Sequence, residues 1–281
     1  MPTVKISHLL LVVLFVAAAG VFAADPPAVT ARSVVLFDAN TGKVLFKKNP
    51  DDQRPVASTQ KLLTALIVAD SGDLSEMVTI KEIDTDVEPT KINIRPGQQY
   101  SRLQLLHALL IKSGNDTARA LARDNAGSLP AFAARMNATM RRLDGNDSNF
   151  VNPNGLPASG QFSSARDMAR VARAVYRNPT LREIINTKYY AFRFSTGKTV
   201  TLKNTNRVLR NYSFCNGMKT GYTELAHHCL ISSGSYNGRD VIAVVLDASK
   251  SRIWDESLAL LAYGLGIPSS QINKFHIAGA E

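Results

Sequence analysis

The chain has 281 residues, 45% of them hydrophobic and 20% charged, which fits one large globular domain or two lobes with a substantial core and excludes a disordered or fibrous protein. The net charge of +10 favours acidic partners such as cell-wall polymers, nucleic acid or anionic lipid. The Lys and Arg residues are scattered and the chain carries an export signal, so nucleic acid is not an expected partner.

Lys5 and His8 precede an apolar run over residues 9–23 that closes on small residues, the pattern of a secretory signal peptide and short for a membrane span. Cleavage is expected after Ala23, giving a periplasmic or secreted protein of residues 24–281 with no stable membrane anchor. Residues 33–37 and 43–46 predict two strands joined by the turn Asn40-Thr41-Gly42. A helix follows from Ser58, and after Lys61 the residues Leu62, Leu63, Ala65, Leu66, Ile67, Val68 and Ala69 are apolar on every side, which predicts a buried helix whose start carries Ser58 and Lys61.

From about 75 to 165 the text is mostly helical, with Leu103, Leu106, His107 and Leu110 at helical spacing and His107 read as a core histidine. Residues 152–157 form a turn-rich loop, and a helix runs from Ser164 to Tyr176. Strands are predicted over 190–194, 198–202, 217–222, 228–233 and 241–246. A last helix carries Trp254, Leu258, Leu261 and Leu265 on one face, with Gly264 and Gly266 helping to end it. Strands at both ends around a helical middle predict an α+β fold: an antiparallel β-sheet flanked by helices, with a helical lobe inserted over about 75–165 and a cleft between.

Cys215 and Cys229 flank one predicted hairpin, and whether they meet as a disulfide depends on a register the sequence leaves open. In the run His227-His228-Cys229, alternation on a strand puts only His227 and Cys229 on one face, so no metal site is expected.

Three short patterns occur in order: Ser58-x-x-Lys61, then Ser113-Gly114-Asn115, then Lys219-Thr220-Gly221. Each is permissive, since Ser195-x-x-Lys198 and Ser235-x-Asn237 repeat the first two, and Ser195 and Lys198 bracket the turn residues Thr196-Gly197. The information lies in order and placement: a buried helix start, a helix end, and a strand before a turn.

With the flanks Asp116, residues 150–156, residues 164–167 and residues 217–223, these motifs resemble the serine-type D-Ala-D-Ala carboxypeptidases, the low-molecular-mass penicillin-binding proteins, over roughly residues 30–265. The resemblance implies a penicillin-recognising, β-lactamase-like serine hydrolase fold. It also implies a peptidase that removes the terminal D-alanine from peptidoglycan stem peptides through a Ser58 acyl-enzyme, is inhibited by β-lactams, and needs no cofactor. Lys61 is then the base that activates Ser58, being three residues on along one helix face, and burial, the positive helix end and the Lys219 charge would all discharge it. Ser113 relays a proton to the leaving group and Asn115 holds the substrate amide. Lys219 and Thr220 take the terminal carboxylate, Gly221 lets substrate lie against the backbone, and the backbone N–H groups of Ser58 and Tyr222 form the oxyanion hole.

Ser58 also fits a plain helix N-cap, and Ser113-Gly114 a helix end with the glycine left-handed. Where many relatives have Ala-Gly after the third motif, this chain has Ala226-His227, an imidazole close to the cleft mouth. The extra C-terminal β domain of several relatives is not expected. A D,D-endopeptidase, a class A-like β-lactamase and a non-catalytic wall- or β-lactam-binding protein are the alternative readings.

Overall fold

The computed structural model describes residues 25–279; the predicted signal peptide, residues 1–23, lies outside the described residues. Strands β1 (Ser33–Asp38) and β2 (Val44–Lys48) form the expected hairpin, whose turn is closed by Asp38, which accepts the Thr41 backbone N–H at 2.7 Å. After a 3-10 turn at Ala57–Gln60 comes α1 (Lys61–Ala69), buried from Lys61 to Val68.

Next come β3 (Met77–Thr79), the short α2 (Glu82–Thr85), β4 (Gln99–Ser101), α3 (Arg102–Ile111), α4 (Asn115–Ala126) and α5 (Leu129–Arg142). The segment read as mostly helical thus also holds a two-stranded sheet, β3 with β4. Helix starts are marked by side-chain caps: Ser101 caps α3 in a box with Gln104, and Ser128 caps α5 with Pro130 in its first turn. Gly127 ends α4 in the left-handed conformation.

Helices α6 (Ala165–Arg177, capped by Ser164) and α7 (Pro179–Asn186) lead to β5 (Tyr189–Arg193) and β6 (Thr199–Lys203). These two strands pair with each other and not with the main sheet. Phe192 and Leu202 enter the helical core while Tyr189, Ala191 and Arg193 stay exposed, and Tyr190 stacks on His107 of α3 with ring centroids 4.2 Å apart. His107 is half-buried and its Nδ1 is 2.8 Å from the Leu103 carbonyl, so burial pushes its pKa down.

Then come α8 (Arg207–Asn211), β7 (Cys215–Thr223), β8 (His227–Tyr236), β9 (Arg239–Ala248) and α9 (Ile253–Leu265), followed by a 3-10 turn at Ser269–Phe275. The main sheet is antiparallel with strand order β2-β1-β9-β8-β7, so β7 is an edge strand. Both faces are covered, because alternate residues serve different cores: Val35 and Phe37 of β1 join the helices around α1, whereas Val34 and Leu36 join α9. Gly266, left-handed, ends α9; Gly264 instead lies inside it, where a Cβ would come 3.1 Å from Val241 Cγ1. No described helix is long and apolar enough to cross a membrane.

Candidate active site

Ser58 sits in the 3-10 turn before α1, not at a cap: the position before that turn is Val56 and no side chain caps α1. The turn is gripped on two sides. Gly155, at φ +85, is so close that a Cβ there would lie 2.1 Å from the Ala57 carbonyl oxygen, and a Cβ on Gly221 of β7 would lie 3.0 Å from the Ser58 nitrogen. Between these clamps Ala57 is held at φ +48, a left-handed conformation that costs on the order of 1–3 kcal/mol and persists only where its surroundings enforce it.

Replacing Gly155 by Ala is therefore expected to slow acylation of Ser58 by at least about tenfold, because the Ser58 backbone must shift. Gly197→Ala, in the exposed β5–β6 turn at φ +87 with no atom within 4 Å of a built Cβ, carries the same backbone strain without the clash. It should leave acylation unchanged, and equal acylation rates for the two variants would contradict the clamp.

Lys61 is fully buried, and its Nζ lies 2.7 Å from Ser58 Oγ, 2.7 Å from Asn115 Oδ1 and 2.6 Å from the Asn154 carbonyl. Burial first, and the charge of Lys219 second, hold the ammonium pKa well below its ordinary value, while the Asp116 carboxylate works in the opposite direction. A neutral amine has two N–H groups and one lone pair. The two oxygens that can only accept, Asn115 Oδ1 and Asn154 O, use both N–H groups, which leaves the lone pair facing the Ser58 hydroxyl. The arrangement thus presents a base to the one hydroxyl able to donate.

Ser113 lies between α3 and α4, and Asn115 is the first residue of α4. Here the expected detail is reversed: Ser113 is the left-handed residue, at φ +70, and Gly114 has φ −57. Gly114 is small for a packing reason, since a Cβ would meet Thr117 Oγ1 at 2.7 Å. Ser113 is buried and lines the same cleft as Ser58, a cavity of about 340 Å³ walled also by Pro89, Thr90, Thr205, Thr220, Gly221 and Tyr222. A larger hollow of about 1040 Å³ lies elsewhere, at the C-terminal end of α1, and holds none of these groups. Asn115 donates from Nδ2 to the Pro89 carbonyl and accepts Lys61 at Oδ1, so one N–H and one lone pair of its amide remain for a ligand.

Lys219 is buried, and burial lowers its pKa to about 7. Its Nζ donates to the Thr220 carbonyl at 2.8 Å. Thr220 Oγ1 is 2.6 Å from Thr205 Oγ1, so a second hydroxyl orients the first. Tyr222 is exposed and packs against His228, with ring centroids 4.5 Å apart.

Several contributors were not foreseen. The Asn154 carbonyl reaches both Lys61 and Ser58, and the Asn152 side chain shapes that loop by accepting the Asn154 and Gly155 N–H groups. Asp116, buried and with its pKa raised by burial, accepts the backbone N–H groups of Ile92, Asn93, Ile94 and Thr117, which pins the segment carrying Pro89 and Thr90 over the cleft. The imidazole lining the cleft is His228; His227 is exposed at φ +51 and its Nδ1 lies 2.8 Å from Asp247. Cys215 pairs with Gly234 and Cys229 with Gly221, some six residues or about 20 Å apart along β7, so they cannot be bridged; both thiols are free and pushed up to about 12 by burial.

The chain is similar to known D-alanyl-D-alanine peptidases. D-alanyl-D-alanine carboxypeptidase DacF of Bacillus subtilis is 34% identical over 224 residues, covering 78% of this chain and 58% of that protein. A D-alanyl-D-alanine endopeptidase of Pseudomonas aeruginosa is 37% identical over 221 residues, covering 77% and 71%. The crystal structure of the Streptomyces K15 DD-transpeptidase matches with a TM-score of 0.82 at 28% identity, covering 86% of this chain and 100% of that one. The chain spans 58% of the Bacillus subtilis relative and 66% of the carboxypeptidase DacC of Escherichia coli, so it is shorter than both. The fold is that of the DD-peptidases. With a family model described as D-alanyl-D-alanine carboxypeptidase matching residues 20–250, the chain belongs to that family.

Proposed function

We propose that the protein is an exported serine carboxypeptidase that removes the terminal D-alanine from peptidoglycan stem peptides. The observation that carries this reading is the buried Lys61 amine, its pKa lowered by burial, 2.7 Å from the Ser58 hydroxyl at the base of an open cleft. Ser58 Oγ attacks the scissile carbonyl as its proton passes to Lys61, and the oxyanion is held by the Ser58 and Tyr222 backbone N–H groups. Ser113 passes a proton to the departing D-alanine, Asn115 holds the peptide amide, and Lys219 with Thr220 takes the terminal carboxylate. Water then hydrolyses the Ser58 ester. Every step uses this chain's own groups.

A second reading, a D,D-endopeptidase that cuts cross-links with the same machinery, is favoured by the endopeptidases of Pseudomonas aeruginosa and Escherichia coli, 37% and 32% identical. Incubating pure protein with monomeric and cross-linked muropeptides and identifying the products decides between them. Release of free D-alanine from the monomer supports the carboxypeptidase, and cleaved dimers without it support the endopeptidase.

β-Lactams should act as inhibitors. A class A β-lactamase clears its acyl group with water activated by a glutamate, and between Asn115 and Ser163 this chain has aspartates but no glutamate. Asp116 is pinned by four backbone N–H groups and Asp124 pairs with Arg102 at 2.7 Å. The expected result is a penicilloyl adduct on Ser58 that intact-mass spectrometry still detects long after excess drug is removed. Rapid return to the unmodified mass with steady formation of hydrolysed penicillin would make the protein a β-lactamase.

A further inference from the structure

At the end of α1 opposite Ser58 lies the hollow of about 1040 Å³, some three times the volume of the cleft above Ser58. Its floor is apolar, from Leu66 and Ile67 of α1, Leu143 and Ala174, and its walls carry Arg135, Arg141, Arg142 and Arg177. Three of these arginines stand in the last turns of α5 and α6, which converge here, and the negative end of a helix favours cations. That preference explains each arginine singly but not why four share one hollow. Arg135 donates to Asn125, Arg142 to Thr139 and Arg177 to the Asn40 carbonyl, all neutral partners. Among the described residues none of the four has a carboxylate within 4 Å, although Arg54, Arg102, Arg123, Arg166, Arg170 and Arg182 each do. Asp70 is the one acid on the lining, so the hollow keeps an excess of positive charge.

We propose that this hollow is a second binding site, for the carboxylate-bearing peptidoglycan polymer itself, which holds the wall while the Ser58 cleft works on a stem peptide of the same polymer. The proposal rests on the wall-peptide reading of the Ser58 cleft. Guanidinium forks bind carboxylates in bidentate fashion, and stem peptides repeat carboxylates along each glycan strand. Arg135 and Arg142 are about 10 Å apart along α5, a span that suits an extended ligand, and the apolar floor suits methyl groups between its charges. From Lys61 to Asp70 the helix α1 runs about 14 Å through the core, so the two sites open separately and can be filled together. Tethering a polymer at the second site raises the local concentration of stem peptides at the first, without touching the chemistry of a free peptide.

The test uses Ser58→Ala protein for binding and the otherwise native chain for turnover, each with the paired change Arg141→Gln and Arg142→Gln and, independently, with Arg135→Gln and Arg177→Gln. Binding is read by co-sedimentation with purified insoluble peptidoglycan across a salt series. Either pair should weaken sedimentation at least about tenfold and flatten its salt dependence. In the turnover background, D-alanine release from insoluble wall should fall by a similar factor, while release from a soluble monomeric stem peptide stays within about twofold. Penicillin labelling of the turnover variants reports that they are folded, and a pair that fails to label is replaced by the other. Unchanged sedimentation of both pairs overturns the proposal, as does binding of anionic phospholipid vesicles in preference to the wall, or equal loss on soluble and insoluble substrate. If the unmodified chain releases no D-alanine from the soluble peptide, the carboxypeptidase reading of the Ser58 cleft fails, and the sedimentation result is still read separately.

Discussion

Ser58→Ala is expected to abolish covalent labelling by penicillin and to lower D-alanine release by about a millionfold, the scale of loss when a serine peptidase is deprived of its nucleophile. The geometry makes this loss specific. Ser58 Oγ is 2.7 Å from the buried Lys61 amine, whose other contacts are the Asn115 and Asn154 oxygens and no second hydroxyl. The deletion should cost little stability, about 1 kcal/mol or less, because the hydroxyl's other partner, the Asn154 carbonyl at 3.3 Å, keeps its bond from Lys61. Loss of labelling with a near-normal melting temperature is therefore the diagnostic pair of results. Ser195→Ala is the matched control. Ser195 also precedes a lysine by three residues, yet it lies in the exposed β5–β6 turn, which is closed by the Gly197 N–H to the Phe194 carbonyl at 2.9 Å. Both activities should survive there, and labelling retained in Ser58→Ala would overturn the assignment.

What separated Ser58 from Ser195 in the sequence was context, not spacing. Leu62, Leu63, Ala65, Leu66, Ile67 and Val68 put apolar side chains on every side of the helix, the mark of a buried one, and the α+β outline followed from the same kind of periodicity. The remainder of the site is carried by groups that leave no such mark. The Asn154 carbonyl is a backbone atom, so residues 152–157 read simply as turns, and Gly155 shows its purpose only when Ala57 is seen pressed against it. Asp116 follows Asn115 in ordinary helical text, and its four N–H donors come mostly from a loop more than twenty residues earlier. His227 was placed close to the cleft mouth because it stands where many relatives have glycine after the third motif; at φ +51 it is exposed beside Asp247, and His228 lines the cleft. Strand text also does not say which sheet a strand joins, and so β5 and β6 were visible as strands while their attachment to α3 was not.

The two lysines should respond in opposite ways to the same substitution. Lys61→Arg is expected to lower turnover by at least about 10⁴-fold at every pH, because a guanidinium stays protonated and offers no lone pair to the Ser58 hydroxyl. It also cannot place three contacts from a single nitrogen within a fully buried pocket. Lys219 is asked for the reverse, a cation facing the substrate's carboxylate, and in the empty cleft burial has lowered its pKa to about 7. Its charge is therefore present below that pH and lost as pH rises through it, whereas Lys61 becomes a base only once its own lowered pKa is exceeded. The ratio kcat/KM, which reports the free enzyme, should fall as pH rises through about 7 and Lys219 loses its charge. A bound carboxylate favours the ammonium, so the alkaline limb of kcat at saturating substrate should lie at higher pH than that of kcat/KM. Lys219→Arg fixes the cation, at the cost of fitting a larger group into a buried position. It should keep measurable activity and lose the alkaline limb from kcat/KM. Identical pH profiles for Lys219→Arg and the native chain would remove Lys219 from the titration, and equal loss of activity in both arginine variants would show that the two lysines do not divide the roles of base and cation.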